Sequence, residues 1–206
     1  MRWLQILAVP LLCAAAMPTL ASELTPNLAV GEEIHKKCAL CHGQWSQGIL
    51  GGLYPRLAGM PAEYLIKQVE DYKNGVRPAN MAMIMVGGFY TMSEQDLFDL
   101  SSFIASIDLK TKQPMNIPTA AGDINLGKTL YKDDCKSCHG STGKGKASKG
   151  IPPMAGQYSE YLNRQIQDYK AKKQYHDGDP KDTLFDEYKD AEIRALLAYM
   201  STLDDE

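Results

Sequence analysis

Cys38, Cys41 and His42 stand in the pattern C-x-x-C-H, and Cys135, Cys138 and His139 repeat it. Two thiols spaced this way on one turn of helix can each add across a vinyl group of a haem. The histidine that follows directs its imidazole at the iron. One such pattern arises by chance; two, inside a sequence that also repeats around them, do not. The chain is therefore expected to carry two covalently bound c-type haems, with His42 and His139 as the proximal iron ligands.

The surrounding repeat has an offset of 97 residues from Cys38 onward and runs without a gap for about 35 residues. Gly43 maps to Gly140, Pro55 to Pro152, Ala58 to Ala155 and Gly59 to Gly156. Further on, Glu63-Tyr64-Leu65 maps to Glu160-Tyr161-Leu162, Gln68 to Gln165, and Asp71-Tyr72-Lys73 to Asp168-Tyr169-Lys170. The expected organisation is a first haem domain over 22–108, a linker over 109–122 that holds Pro114, Pro118 and Gly122, and a second haem domain over 123–206.

The elements that must position the motifs read as helices. Tyr64, Leu65, Gln68, Val69 and Tyr72 recur at helical spacing, as do Leu97, Leu100, Ile104 and Ile107. The second half reproduces both faces with Tyr161, Leu162, Gln165, Ile166 and Tyr169, then Ile193, Leu196, Met200 and Leu203. Ser93 suits the N-cap of the last helix of the first half. A helix before each motif should open near Asn27 and Asp123. No segment alternates as a strand does, so the expected class is all-α. Domains this small have marginal cores, and a buried haem would centre each one.

Arg2, the apolar run from Trp3 to Ala16 and the small residues near Ala21 and Ser22 form a secretory signal peptide, expected over 1–21. An uncleaved anchor is the alternative; Leu12 is not the small residue that a lipoprotein signal would need before Cys13. Of five cysteines, Cys13 leaves with the leader, and the other four all belong to the two motifs. No thiol is spare for a disulfide. The formal charge is −3, from 22 basic and 25 acidic residues, and loss of Arg2 makes it −4. Nucleic-acid binding, which wants a concentrated basic face, is excluded.

Each half resembles a class I c-type cytochrome, and the tandem pair resembles the diheme cytochrome c4 family. The resemblance rests on C-x-x-C-H-G, the Pro-x-x-Ala-Gly segments Pro55 to Gly59 and Pro152 to Gly156, a Tyr-bearing helix and a C-terminal amphipathic helix. It implies two class I cytochrome c domains packed about a pseudo-twofold axis. It also implies a periplasmic electron carrier, soluble or membrane-associated, that meets redox partner proteins. In such cytochromes the proline carbonyl accepts from the free ring nitrogen of the proximal histidine, which would pair Pro55 with His42 and Pro152 with His139.

The family's sixth ligand is a methionine from the loop before the last helix. Met81, Met83 and Met85 are candidates in the first half, and spacing from Met92 and Ser93 selects Met85. The second half departs from this pattern, because its loop from Lys173 to Lys189 has no methionine. Met154 and Met200 map to core positions. Of the four histidines, His35 sits on a charged helix and is expected to face solvent. His176 lies in the methionine-free loop and is the expected distal ligand of the second haem. The alternatives there are Lys172, Lys173 or Lys181, a displaced methionine, or an open iron.

The function expected is electron transfer in a respiratory chain, from a dehydrogenase or quinol-oxidising complex to a terminal oxidase or reductase, with no substrate chemistry of the protein's own. The competing reading is a diheme oxidoreductase, or the cytochrome subunit of one, acting on a small inorganic substrate at haem 2. Lys144, Lys146 and Lys149 form a basic patch that would steer an acidic partner, or simply a solvated loop. Trp45 is expected to cover haem 1 or fill its pocket.

Overall fold

The computed structural model describes residues 24–49, 51–78, 83–112 and 117–203. The signal peptide expected over 1–21 lies outside these residues, as does Met81. Among the described residues there is no strand, only an isolated bridge between Lys146 and Ile151. No helix among them is long and apolar enough to cross a membrane.

The first half runs α1 (Leu28–His42), α2 (Ala62–Lys73), α3 (Met83–Phe89) and α4 (Glu94–Ala105), followed by the single turn α5 (Leu109–Lys112). The second half runs α6 (Ile124–Leu130), a π-helical turn (Tyr131–Cys135), α7 (Lys136–His139), α8 (Ser159–Lys170) and α9 (Asp190–Met200). α1 opens where Asn27 Oδ1 accepts from the Val30 N–H at 3.2 Å, and α6 where Asp123 Oδ1 accepts from Asn125 and Leu126 at 3.0 Å. Ser93 caps α4 in a reciprocal box with Asp96. Both motif helices stop on a glycine with positive φ, Gly43 at 86° and Gly140 at 81°. The motif histidine is thus the last residue of its helix in each half.

The first and last helices of each half cross at a glycine. A Cβ on Gly31 would collide with the Asp99 carbonyl and Phe103, and one on Gly127 with the Ala195 carbonyl and Tyr199. These pairs are 96 residues apart, one fewer than the motif offset. The π turn absorbs the extra residue between Gly127 and Cys135, as single π turns inside helices do. Asp99 then ties α4 to the start of α1, accepting from Asn27 N–H at 2.8 Å and Gln95 Nε2 at 2.7 Å.

The shift to 96 corrects the expectation for His35. Its counterpart is the buried Tyr131, and His35 itself is only 3 % exposed. Its Nε2 lies 2.7 Å from Ser46 Oγ and its ring 5.2 Å from that of Phe103. The charged neighbours Glu32, Glu33, Lys36 and Lys37 are exposed, while the face bearing Gly31, His35 and His42 turns inward. Burial, and then nearby His42, push the His35 imidazole below its usual range, so it is held neutral.

The core of the second half is one cluster that includes Tyr131, Ile166, Phe185, Ile193, Leu196 and Met200. The first half has three smaller ones. Met60 packs with Leu65, Leu100 and Ile104; Val69 with Phe89 and Leu97; Ala58 with Ile107 and Leu109. Trp45 lies against this last group, with Lys112 Nζ 4.9 Å from its ring centre. The segment after the first half therefore begins as a packed helical turn rather than as free chain.

The halves meet through polar contacts. Arg77 donates to Gln68 of its own half at 2.5 Å, and to Tyr161 OH at 2.9 Å and Gln165 Oε1 at 2.8 Å of the other. Arg164 donates to the carbonyls of Gly52 and Leu53. Gly52 and Gly48 have no room for a Cβ beside Tyr158.

Candidate haem-binding sites

The last turn of α1 and of α7 presents the motif residues. Cys41 and Cys138 are exposed, Cys38 is half-buried and Cys135 is buried, and none is in a disulfide. Burial pushes the Cys38 thiol up; burial, then Asp134 and Cys138, push Cys135 up to about 12.

The Pro55 carbonyl lies 2.9 Å from His42 Nδ1, and the Pro152 carbonyl 3.1 Å from His139 Nδ1. Each carbonyl accepts a hydrogen bond from Nδ1–H, which fixes the tautomer and leaves Nε2 with its lone pair free for a metal. Burial lowers the His42 pKa, opposed in part by the bond to Pro55, so the ring is neutral. Tyr54 meets it edge-on, with ring centres 5.8 Å apart. Around Gly43 and Gly140 the chain turns back through matched bonds: Gly48 N–H to the His42 carbonyl at 2.7 Å, and Gly145 N–H to the His139 carbonyl at 2.9 Å. These turns return the proline segments to the motif histidines.

In the first half, α3 carries Met83 and Met85. Met83 is 71 % exposed, whereas Met85 packs with Val69, Phe89 and Leu97. In the second half, α8 and the turn His176–Gly178 bring His176 against aromatic rings. Its ring centre is 5.4 Å from that of Tyr169 and 5.6 Å from that of Phe185, both edge-on. Asp182 Oδ2 lies 3.3 Å from His176 Nδ1. Two of the loop's candidate lysines are engaged elsewhere, Lys172 with Asp186 at 2.7 Å and Lys173 with Asp168 at 3.7 Å. Met154 and Met200 sit in the core cluster.

The donor set fits a haem iron. With a metal–nitrogen distance of about 2.0–2.1 Å and about 1.1 Å from nitrogen to ring centre, two imidazoles held on opposite sides of one metal would have centres about 6.3 Å apart, and a smaller angle would bring them closer. The ring centres of His139 and His176 are 6.2 Å apart.

Three contacts escaped the sequence. Gln157 pairs with the backbone of Arg56 across the halves, His35 pairs with Ser46, and Arg77 bridges the two Tyr-bearing helices. Each had a visible signal in a break of the repeat, where Arg56 stands opposite Pro153, Met60 opposite Gln157, Ser46 opposite Gly143 and Arg77 opposite Gln174.

The tandem arrangement of two haem domains is shared with known proteins. The cytochrome c family matches residues 28–108 and again residues 124–204. Cytochrome c4 of Pseudomonas aeruginosa is 30% identical over 190 residues, covering 86% of this chain and 89% of that protein. The thiosulfate dehydrogenase electron acceptor of Stutzerimonas stutzeri is 25% identical over 173 residues, covering 81% and 78%. Among solved structures, reduced recombinant cytochrome c4 from Pseudomonas stutzeri superposes with a TM-score of 0.70 at 25% identity, covering 87% of this chain and 100% of that one.

Proposed function

Because the chain belongs to the cytochrome c family and, like cytochrome c4, carries two covalent c-type haems in tandem domains, we propose that it is a periplasmic electron carrier. The haems supply one-electron chemistry between ferric and ferrous iron; the protein holds, shields and tunes them. Cys38, Cys41, Cys135 and Cys138 anchor them, and His42 and His139 bind the irons from the proximal side, oriented by Pro55 and Pro152. The domains span 22–108 and 123–206, joined by 109–122, after export directed by residues 1–21.

Met85 closes the far side of the first iron. Its packing beside Val69, Phe89 and Leu97 supports it over the exposed Met83. His176 closes the second. The observation that carries the carrier reading is the 6.2 Å between His139 and His176, since two imidazoles on one iron leave no place for a substrate. A thioether favours ferrous iron and a second imidazole ferric iron, so the second haem has the lower potential. Electrons then enter at the second haem and collect on the first.

The donor is a dehydrogenase or quinol-oxidising complex and the recipient a terminal oxidase or reductase of a respiratory chain. The relative named as an electron acceptor of thiosulfate dehydrogenase supports a dehydrogenase as donor. That name also keeps one other reading in view, a diheme subunit whose second haem acts on a small sulfur compound.

An EPR-monitored potentiometric titration, with carbon monoxide added to the reduced protein, separates the two. Two low-spin haems at distinct potentials, neither binding carbon monoxide, are expected. A second haem that is high-spin or takes up carbon monoxide would overturn the carrier reading and favour the enzyme.

A further inference from the structure

The peptide that joins Pro55 to Arg56 makes hydrogen bonds on both of its edges. Its carbonyl accepts from His42 Nδ1 at 2.9 Å. Its N–H donates to Gln157 Oε1 at 3.1 Å, and Gln157 belongs to the other half. The same side chain donates from Nε2 to the Arg56 carbonyl at 2.9 Å, so its amide lies along one residue's backbone as a neighbouring strand would. Gln157 is 3 % exposed, and its Oε1 also accepts from the Tyr158 N–H at 3.1 Å. Its orientation is therefore set from both domains.

The second haem site has no such link and could not have one. The residue after Pro152 is Pro153, which has no N–H to donate. Met60, which occupies the place of Gln157 in the first half, is packed among Leu65, Leu100 and Ile104.

We infer that Gln157 is a positioning residue for the first haem, through which the second domain lowers the first haem's potential by way of the Pro55–Arg56 peptide and His42. The inference rests on the reading of His42 as an axial ligand. A peptide whose N–H is engaged by an acceptor is polarised, and its carbonyl becomes the better acceptor. A stronger acceptor at Nδ1 makes Nε2 the more electron-rich ligand, which favours ferric iron. The chain His42–Pro55–Arg56–Gln157 thus runs one way, from the second domain to the first haem. It makes the first haem sensitive to how the domains are docked.

The test uses the haem-loaded full chain and measures the midpoint potential of each haem, with proton exchange at His42 Nδ1 followed by NMR. Gln157→Met installs what the first half carries at that place. It is expected to raise the first haem's midpoint, by about 59 mV for each tenfold loss of preference for ferric iron. The second haem's midpoint stays where it was, and the His42 ring proton exchanges faster. A merely loosened interface predicts the opposite sign, because water reaching the haem favours the more highly charged ferric state.

A second pair of variants keeps the test open if Gln157→Met fails to load both haems. Arg56→Ala retains the backbone N–H, whereas Arg56→Pro removes it as Pro153 does in the second half. The first haem's midpoint should be higher in Arg56→Pro than in Arg56→Ala. An unchanged or lowered midpoint in Gln157→Met, or equal midpoints in the two Arg56 variants, overturns the inference. Failure of the underlying reading shows separately, as a first-haem spectrum that His42→Ala leaves unaltered.

Discussion

The two halves share a helix frame and differ at several buried polar positions around it. Each holds its motif histidine by a proline carbonyl and crosses its first and last helices at a glycine. Yet the inward polar residue of the first helix is His35 in one and Tyr131 in the other. His35 pairs with Ser46, which has φ +51°, while the matching turn of the second half uses Gly143, and Tyr131 OH donates instead to the Gly140 carbonyl at 2.7 Å. Arg77 reaches across to the second half, whereas its counterpart Gln174 donates at 2.9 Å to Gln165 within its own half. A repeated frame sets where two haems go; the side chains hung on it give the two sites unlike surroundings.

The sharpest break of that comparison is at the distal ligands. His176→Ala should turn the second haem high-spin and open to carbon monoxide while leaving the first untouched, and Met85→Ala should do the reverse. EPR and carbon monoxide difference spectra distinguish the outcomes, and a variant that alters both haems or neither would refute the assignment it tests.

Next in size is the core. Leu196 sits fully buried in the continuous cluster of the second half, and Leu196→Ala should cost about 2–5 kcal/mol there. Differential scanning calorimetry should show the lowered stability, with the second haem's absorbance changing at a lower temperature than the first's.

The interface gives a smaller effect. Arg77 is buried among neutral partners, with Tyr72 stacked 4.6 Å from its guanidinium. Arg77→Ala leaves Tyr161 and Gln165 without that donor, at a cost of about 1–3 kcal/mol. The domains should then unfold in separate steps rather than together, as followed by the two haem spectra.

The smallest is a pH effect confined to the first half. The folded pKa of His35 lies below its unfolded value of about 6.5. Unfolding therefore takes up a proton, and the stability that neutral His35 contributes is complete above about 6.5 and is lost as pH falls below it. Thermal unfolding between about pH 7.5 and about pH 5.5 should show this fall, and His35→Gln should flatten it; an unflattened profile would place the dependence elsewhere.

Much of the frame was legible because it is local or repeated. Asn27, Asp123 and Ser93 are caps by residue type, and the Tyr-bearing helices follow from apolar spacing. His35 was misplaced because charged neighbours on a helix say nothing about the third of its surface that packs inward. The π turn was invisible for a related reason. A one-residue insertion costs a helix only local hydrogen bonding, and leaves no mark in composition.

By itself the sequence determined that two haems are bound and that the domains are helical, and it named the residues expected to attach the haems, since a covalent motif and helical periodicity depend on neighbours a few residues apart. The absence of a methionine from the second distal loop was equally plain in it. Tertiary structure alone decided that His176 stands 6.2 Å from His139, that His35 is buried, and that Gln157 reaches the peptide holding His42 from 101 residues away. Such contacts exist only once the helices have packed and the halves have met, because what brings the partners together is burial of surfaces far apart in the chain.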